Sequence, residues 1–295
     1  MKESTKMRKT SVRIDEGHGT TLTFYRLGSG KPRVLVTAAI HGDEVVGTFA
    51  IRGTIPMLDR KKLRGSVTFL PVANPLAFRC RERASPIDNA DLNRVFPGEE
   101  KGSVSQRIAH TLWQEATQAD YVLDLHGCGM NCIPYILSLH QEFDFIRKYA
   151  RRLAIPTVVE SSGLRGQLFI EASHKKIPAA IIEAGSHHGE FKVDHASQLK
   201  SVILELLASL KMIDGKGCTT QHKFYGKISN VKAEEEDFFI PRVTPGAFVK
   251  KGDVVGVTSF RDRDMLTQHT GIITSIYEPQ VVFPGDSIAS IAEEI

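Results

Sequence analysis

Runs rich in Val and Ile recur along this chain, and the segments between them are long enough, and periodic enough, to be helices. That alternation constrains the fold more than any other feature: it is the signature of a mainly parallel or mixed sheet covered by helices, an α/β class. The apolar runs predict strands over 33–40, 66–72, 120–126, 134–139, 157–161 and 178–184. The spacing predicts helices over 44–58, 103–118, 142–154 and 194–212. In the last of these, Leu199, Val202, Ile203, Leu206, Leu207 and Leu210 repeat at three and four, which gives one buried face.

With 295 residues the chain has room for a large core of this class and a smaller attached module. The boundary falls in the polar, glycine-bearing stretch "DGKGCTTQ", Asp214 to Gln221, which divides the chain into 1–215 and 216–295. Beyond it only short β-type runs remain, "PGAFVKKGDVVGV", "TGIITSI" and "VVFPGDSIASI". Gly-Asp recurs at 252–253 and 285–286, each time before an apolar run, so a small β-barrel or sandwich with quasi-repeated hairpins is expected.

A net charge of +4 with scattered basic residues argues against a nucleic-acid partner. No apolar run approaches the roughly 20 residues of a membrane span, and "MKESTKMRKTSVRIDEG" lacks the apolar stretch of a signal peptide. A cytoplasmic protein without a membrane partner is expected. Four cysteines, Cys80, Cys128, Cys132 and Cys218, are too few for a disulfide framework and are read as reduced thiols.

In open α/β sheets ligands collect beyond the carboxyl ends of strands, so polar residues placed there mark a site. "VLVTAAIHGDEVVG" runs from a buried strand into His41 and Glu44, three apart and able to reach one metal ion. Acids favoured by a helix N-terminus are the plainer explanation. The chain holds a second His-x-x-Glu, His187 with Glu190, but no helical pattern follows it directly. "ADYVLDLHGCGM" ends a second strand in His126, and period-two alternation puts Asp124 on the same face, placed to orient the imidazole. A third run, "IPAAIIEAGSHHG", ends in Glu183, a carboxylate that needs pairing, water or a metal in such company. Between the first two lies the polar stretch Asn74 to Gly98, long enough to be a functional loop, whose arginines suit a carboxylate or a polarised carbonyl.

Four ordered motifs now stand out: His41-Gly42-Asp43-Glu44, Asp91-Leu92-Asn93-Arg94 with Phe96-Pro97-Gly98, Asp124-Leu125-His126, and Ile182-Glu183-Ala184-Gly185. Together they resemble the succinylglutamate desuccinylase/aspartoacylase family, over about residues 30 to 190, and the tail resembles the β-domain of that family. The resemblance implies a zinc carboxypeptidase-like mixed sheet covered by helices, with a smaller C-terminal all-β domain. It implies one zinc ion held by His41, Glu44 and His126, with an open position for water, so that 1–215 would be the catalytic domain. Glu183 matches the catalytic glutamate, Asn93 and Arg94 the pair that binds a substrate carboxylate, and Arg83, chosen over Arg79 and Arg81, the residue that polarises the scissile carbonyl. The family's second-domain tyrosine has Tyr277 and Tyr225 as candidates. Aspartoacylases carry an arginine ten residues before the catalytic glutamate where this chain has Ser173, which speaks against N-acetylaspartate as substrate.

Three protein ligands with an exchangeable water suit hydrolysis, so the expected reaction cleaves the amide of a small N-acylated amino acid or amine. A zinc carboxypeptidase acting on peptides and a non-catalytic ligand-binding relative are the alternatives. His187 is placed close enough to Glu183 to bind substrate, with His188 beside it; both also suit a surface loop. The tail is similar to biotinyl/lipoyl-type β-sandwiches, but "FRDRDMLTQ", Phe260 to Gln268, has no carrier lysine. A lid over the pocket, or a contact within a homo-oligomer, is expected of it instead.

Overall fold

The computed structural model describes residues 7–15, 17, 19–58, 62–128, 131–185 and 193–295. The chain opens with a hairpin of β1 (Arg8–Asp15) and β2 (Thr20–Ser29), paired antiparallel. The apolar runs do not predict it, because β1, "RKTSVRID", is an edge strand with no buried residue. In β2 it is the alternate residues Thr20, Leu22 and Phe24 that turn inward.

Next come β3 (Arg33–Ala38), α1 (Val46–Leu58), β4 (Gly65–Leu70), α2 (Pro75–Cys80), α3 (Val104–Gln118), β5 (Tyr121–His126) and the short β6 (Asn131–Cys132). β7 (Tyr135–Ser138), α4 (Asp144–Ala150), β8 (Thr157–Glu160), α5 (Leu168–His174), β9 (Ala179–Glu183) and α6 (Val193–Ser209) complete this part. All six predicted strands and four predicted helices are present, with α4 shorter than its periodicity suggests and α1 starting at Val46 rather than 44. Two helices are additional. The first, α2, is capped by the Asn74 side chain, which accepts from Ala77 N, and has Pro75 at its first position. In α5 six of seven residues are buried, the polar Glu171 and Ser173 among them, so polarity does not mark an outer face from which a helical period could be read.

The strands run in the order β1, β2, β4, β3, β5, β9, β7, β8, with β4, β3, β5 and β9 mutually parallel and β7 antiparallel to β9. Alternation along the strands sends Val34, Val36, Leu123 and Leu125 to one face, where α1 and α6 cover them. It sends Leu35, Val122 and Ile181 to the other face, under α3 and α5. Burying both faces is why the central strands read as continuous apolar runs.

Where α1 leaves the site it lies close on the sheet. A Cβ added at Gly47 would sit 2.6 Å from Leu125 Cβ and 2.9 Å from Ala38 Cβ. Alanine normally stabilises a helix by about 0.5–1 kcal/mol over glycine. Here overpacking, typically about 1–3 kcal/mol, works against it. Gly47→Ala is therefore expected to destabilise the protein by about 1–2 kcal/mol in denaturant unfolding. A gain in stability would show that the helix can lift off the sheet without cost.

After α6 the chain forms β10 (Lys223–Lys232), β11 (Asp237–Pro241), β12 (Phe248–Val249), β13 (Val254–Thr258), β14 (Arg263–Leu266), β15 (Gly271–Ile276), β16 (Gln280–Val282) and β17 (Ser287–Glu293). β14, β13, β11 and β16 make a small antiparallel sheet of their own. β10 instead pairs in parallel with β8, Tyr225 opposite Val159, and carries β17, β15 and β12 onto the main sheet. The two Gly-Asp sites are built alike. Gly252 and Gly285 both have φ +93°, and Asp253 and Asp286 each accept from the backbone N–H three residues earlier, Lys250 at 2.7 Å and Phe283 at 2.9 Å. Among the described residues no helix is long and apolar enough to cross a membrane.

Candidate functional site

β3, β5 and β9 are adjacent and parallel, so their carboxyl ends open on one edge. His126 closes β5 and stands in register with Glu183, which closes β9. His41 follows β3 by three residues and Glu44 precedes α1, so the pair sits in a turn, closed by Glu44 N–H donating to His41 O at 3.3 Å, and not on the helix. The Gly42 N–H donates to Glu82 O, which ties this turn to the polar segment after α2.

His41, Glu44 and His126 are all buried, and one donor atom from each lies within 4.8 Å of the others. His41 Nδ1 is 2.7 Å from Glu44 Oε1, and His126 Nδ1 is 2.9 Å from Glu44 Oε2. The far nitrogens are held by carboxylates: His41 Nε2 is 3.1 Å from Asp91 Oδ1 and His126 Nε2 is 2.9 Å from Asp124 Oδ2. Asp124 is itself fixed by the Thr37 hydroxyl, which donates to it at 2.6 Å. Two imidazoles each backed by a carboxylate, with a third carboxylate between them, fit a divalent cation with nitrogen and oxygen preference such as zinc. Burial works against the charge on Glu44, yet His126 and His41 hold its pKa well below the usual carboxylate range. Burial likewise opposes a charged His126, and Asp124 and Glu44 overcome it, so its pKa rises well above the ordinary value. The cluster is polarised for a positive guest at its centre.

Glu183 differs from Glu44. Burial is the main influence on it, partly offset by His126 and reinforced by the Glu44 charge, and its pKa is pushed up to about 7. A carboxyl group poised near neutrality is suited to accept and return a proton.

Of the three candidate arginines, Arg83 lies over the cluster. One of its nitrogens is 3.7 Å from Glu44 Oε1, and another donates to Asp91 Oδ2 at 3.0 Å, while the side chain stays half exposed. Arg79 lies by another cavity, with Phe78 and Pro75, and Arg81 is the left-handed cap of α2. Asp91 caps the short turn Leu92–Arg94, which presents Asn93 and Arg94 to the same cavity. Asn93 Oδ1 accepts from Leu168 N at 3.1 Å, and the Arg94 guanidinium donates to Asn93 O at 2.8 Å.

The cavity encloses about 480 Å³. His41, Glu44, Arg83, Asn93, Arg94, His126 and Glu183 form one side. Glu160, Ser161, Ser162 and Gln167, from the loop after β8, form another. Lys227 and Asn230 of β10, Ser275 of β15 and Ser290 of β17 also line it, so the tail contributes to the wall. A larger cavity of about 550 Å³ lies beside β10 and β14; it shares Asn230 with this one but includes none of the clustered His and Glu residues.

Several expectations change. Tyr225 is buried beside Cys128 and Tyr135, Tyr277 packs against the tail's core, and neither lines the cavity, whereas Tyr135 does. Ser173 is buried in α5 with its hydroxyl donating to Phe169 O and does not line the cavity. Cys128 and Cys132, expected as thiols, lie side by side with their Cα atoms 6.5 Å apart, within disulfide reach, and both sulfurs contact Gly185 O. Cys80 and Cys218 are free. His187, His188 and Glu190 lie outside the described residues.

Comparison with known proteins gives a matching picture. The model of the succinylglutamate desuccinylase/aspartoacylase catalytic domain matches residues 30–210. A relative from Halomonas elongata, N-alpha-acetyl-L-2,4-diaminobutyric acid deacetylase, is 36% identical over 120 residues, which is 40% of this chain and 35% of the relative's length. Among solved structures, a succinylglutamate desuccinylase/aspartoacylase from Rhodobacter sphaeroides superposes with a TM-score of 0.85 at 24% identity, over 98% of this chain and 95% of that one. The product-bound ectoine utilization protein EutE (DoeB) from Ruegeria pomeroyi superposes with a TM-score of 0.84 at 21% identity, over 97% and 95% of the two chains. At such identities the likeness concerns the fold.

Proposed function

Since this chain belongs to the succinylglutamate desuccinylase/aspartoacylase family, we propose that it hydrolyses the amide bond of a small N-acylated amino acid or amine, with one zinc ion held by His41, Glu44 and His126. One observation carries the reading: a buried His-Glu-His cluster at the sheet edge with Glu183 in register beside His126. When bound there, zinc lowers the pKa of a water and polarises the substrate carbonyl. Glu183 takes the proton of the attacking water on its carboxylate and returns it to the leaving nitrogen. The Arg83 guanidinium stabilises the negative oxygen that develops on the carbonyl. Asn93 and Arg94 hold a substrate carboxylate, and His187 adds to substrate binding.

Residues 216–295 act in this reading as a β-domain that closes one side of the pocket through Lys227, Asn230, Ser275 and Ser290. A cavity of about 480 Å³ suits a small molecule better than a polypeptide, which favours a deacylase over a carboxypeptidase.

The test is amine release by zinc-loaded and chelator-treated protein over N-acetyl and N-succinyl amino acids, N-acetyl diamines and short peptides. Zinc-dependent release from a few small N-acyl compounds, with peptides untouched, is the expected result. Cleavage confined to peptide C-termini would move the protein to the carboxypeptidases, and no cleavage at all would leave a ligand-binding relative.

A further inference from the structure

The cavity that holds the His-Glu-His cluster is also lined by a carboxylate for which the proposed reaction has no use. Glu160 is the last residue of β8 and is only 4% exposed, yet it lines the same cavity as His126 and Glu183. Its Oε2 accepts from Gln141 N at 2.8 Å and lies 3.1 Å from Nδ1 of His140, whose side chain is fully buried. Burial and the Arg147 charge push the pKa of His140 down to about 4, so the ring is neutral at ordinary pH. These contacts orient the Glu160 carboxyl group without cancelling its charge.

Nor does a fixed cation cancel it. Among the described residues no Lys or Arg comes within 4.0 Å of Glu160; Lys227, its register neighbour on β10, acts on it only from farther away. Burial consequently raises the pKa of Glu160 above that of an ordinary glutamate. Three other carboxylates of the site are matched: Glu44 by two imidazoles, Asp124 by His126, Asp91 by His41 and Arg83. Two carboxylates line the cavity without a positive partner at contact distance among the described residues, Glu183, which serves the proposed proton transfer, and Glu160, which does not. A buried carboxylate in that position gains most from a ligand that brings the missing charge. Ser161, Ser162 and Gln167 line the cavity with it and supply neutral hydrogen-bonding groups, and Lys227 is in the same lining.

We propose that Glu160 binds a free ammonium group of the substrate, so that the compound taken by this site is an N-acyl derivative of a short diamine or diamino acid. The proposal rests on the deacylase reading and narrows it. One cavity then serves three parts of the substrate: Asn93 and Arg94 take a carboxylate where there is one, the acyl amide lies at the metal ligands, and the second nitrogen, unacylated and charged, lies at Glu160.

The experiment compares two substrates that differ only in that ammonium, Nα-acetyl-2,4-diaminobutyrate and N-acetyl-2-aminobutyrate, with zinc-loaded wild type and Glu160→Gln. Glutamine keeps an acceptor for Gln141 N–H, and thermal unfolding of both proteins checks that the fold is kept. Wild type is expected to prefer the diamino compound in kcat/KM by on the order of 10- to 100-fold, the scale of one hydrogen bond to a charged group. In the variant the preference should collapse, mainly through KM. An equal preference in both proteins, or no preference in wild type, would overturn the assignment while leaving the deacylase intact. If wild type cleaves no N-acyl compound, the deacylase reading itself fails. Calorimetry with free 2,4-diaminobutyrate then decides on Glu160 separately: binding weakened at least tenfold in the variant would keep the ammonium site, and equal binding would remove it.

Discussion

Glu183→Gln is expected to keep its zinc and lose turnover by about 10²- to 10⁴-fold, the range over which a positioned acid–base group contributes. Glutamine has the size of glutamate and is neutral, as the protonated carboxyl is, so β9 and its register with His126 should persist. What it lacks is the ability to take a proton from water and pass it to the amine. Because Glu183 is not one of the three clustered metal donors, metal content after dialysis should match wild type, and KM should change far less than kcat. Near-normal turnover in this variant would remove Glu183 from proton transfer. A loss of zinc would instead place it among the ligands.

The His126→Ala variant should fail differently. His126 stands between Glu44 and Asp124 at 2.9 Å from each, with all three side chains nearly inaccessible. Removing the imidazole takes away a metal donor and leaves two buried carboxylates without their shared partner. Loss of an outer partner of a ligand typically weakens metal binding by about 10- to 100-fold, and loss of a ligand should exceed that. In chelator, where no ion compensates, the variant should also be less stable than wild type by about 3–5 kcal/mol, the scale for breaking a buried pair. Metal analysis after dialysis and denaturant unfolding in chelator read the two effects independently. Zinc retained at one per chain would overturn the ligand assignment.

Much of the architecture was legible because the central strands are buried on both faces and so appear as plain apolar runs. β1 was not, since an edge strand with no buried residue leaves no apolar run, and α5 was hidden because its short span mixes Leu168, Phe169 and Ile170 with Glu171, Ser173 and His174. The rule that a polar residue closing an apolar run marks a site singled out His126 and Glu183 correctly as strand ends. Applied to "TVVE", Thr157 to Glu160, the same rule would have singled out Glu160, whose run is shorter but equally buried. Asp91 stood in a recognised motif, yet its hold on His41 Nε2 depends on the turn before α1 meeting the turn after α2, and no local pattern encodes that. Lys227, Asn230, Ser275 and Ser290 reach the cavity from strands far along the chain. Nothing in the residues around them distinguishes them from any surface serine or lysine.

The pairing of β10 with β8 has a consequence for synthesis. When residues 1–215 have left the ribosome, every helix of the fold can form, but β8 still has one side without a neighbour. The strand that covers it begins at Lys223, and the sheet on that side is complete only after β17, which starts at Ser287, has emerged. At about 5–20 residues per second, a nascent chain therefore spends on the order of several seconds with an apolar strand edge open to other chains. The vulnerable interval of this edge thus falls after the described helices have been made, and its protection comes from β10, which follows all of them.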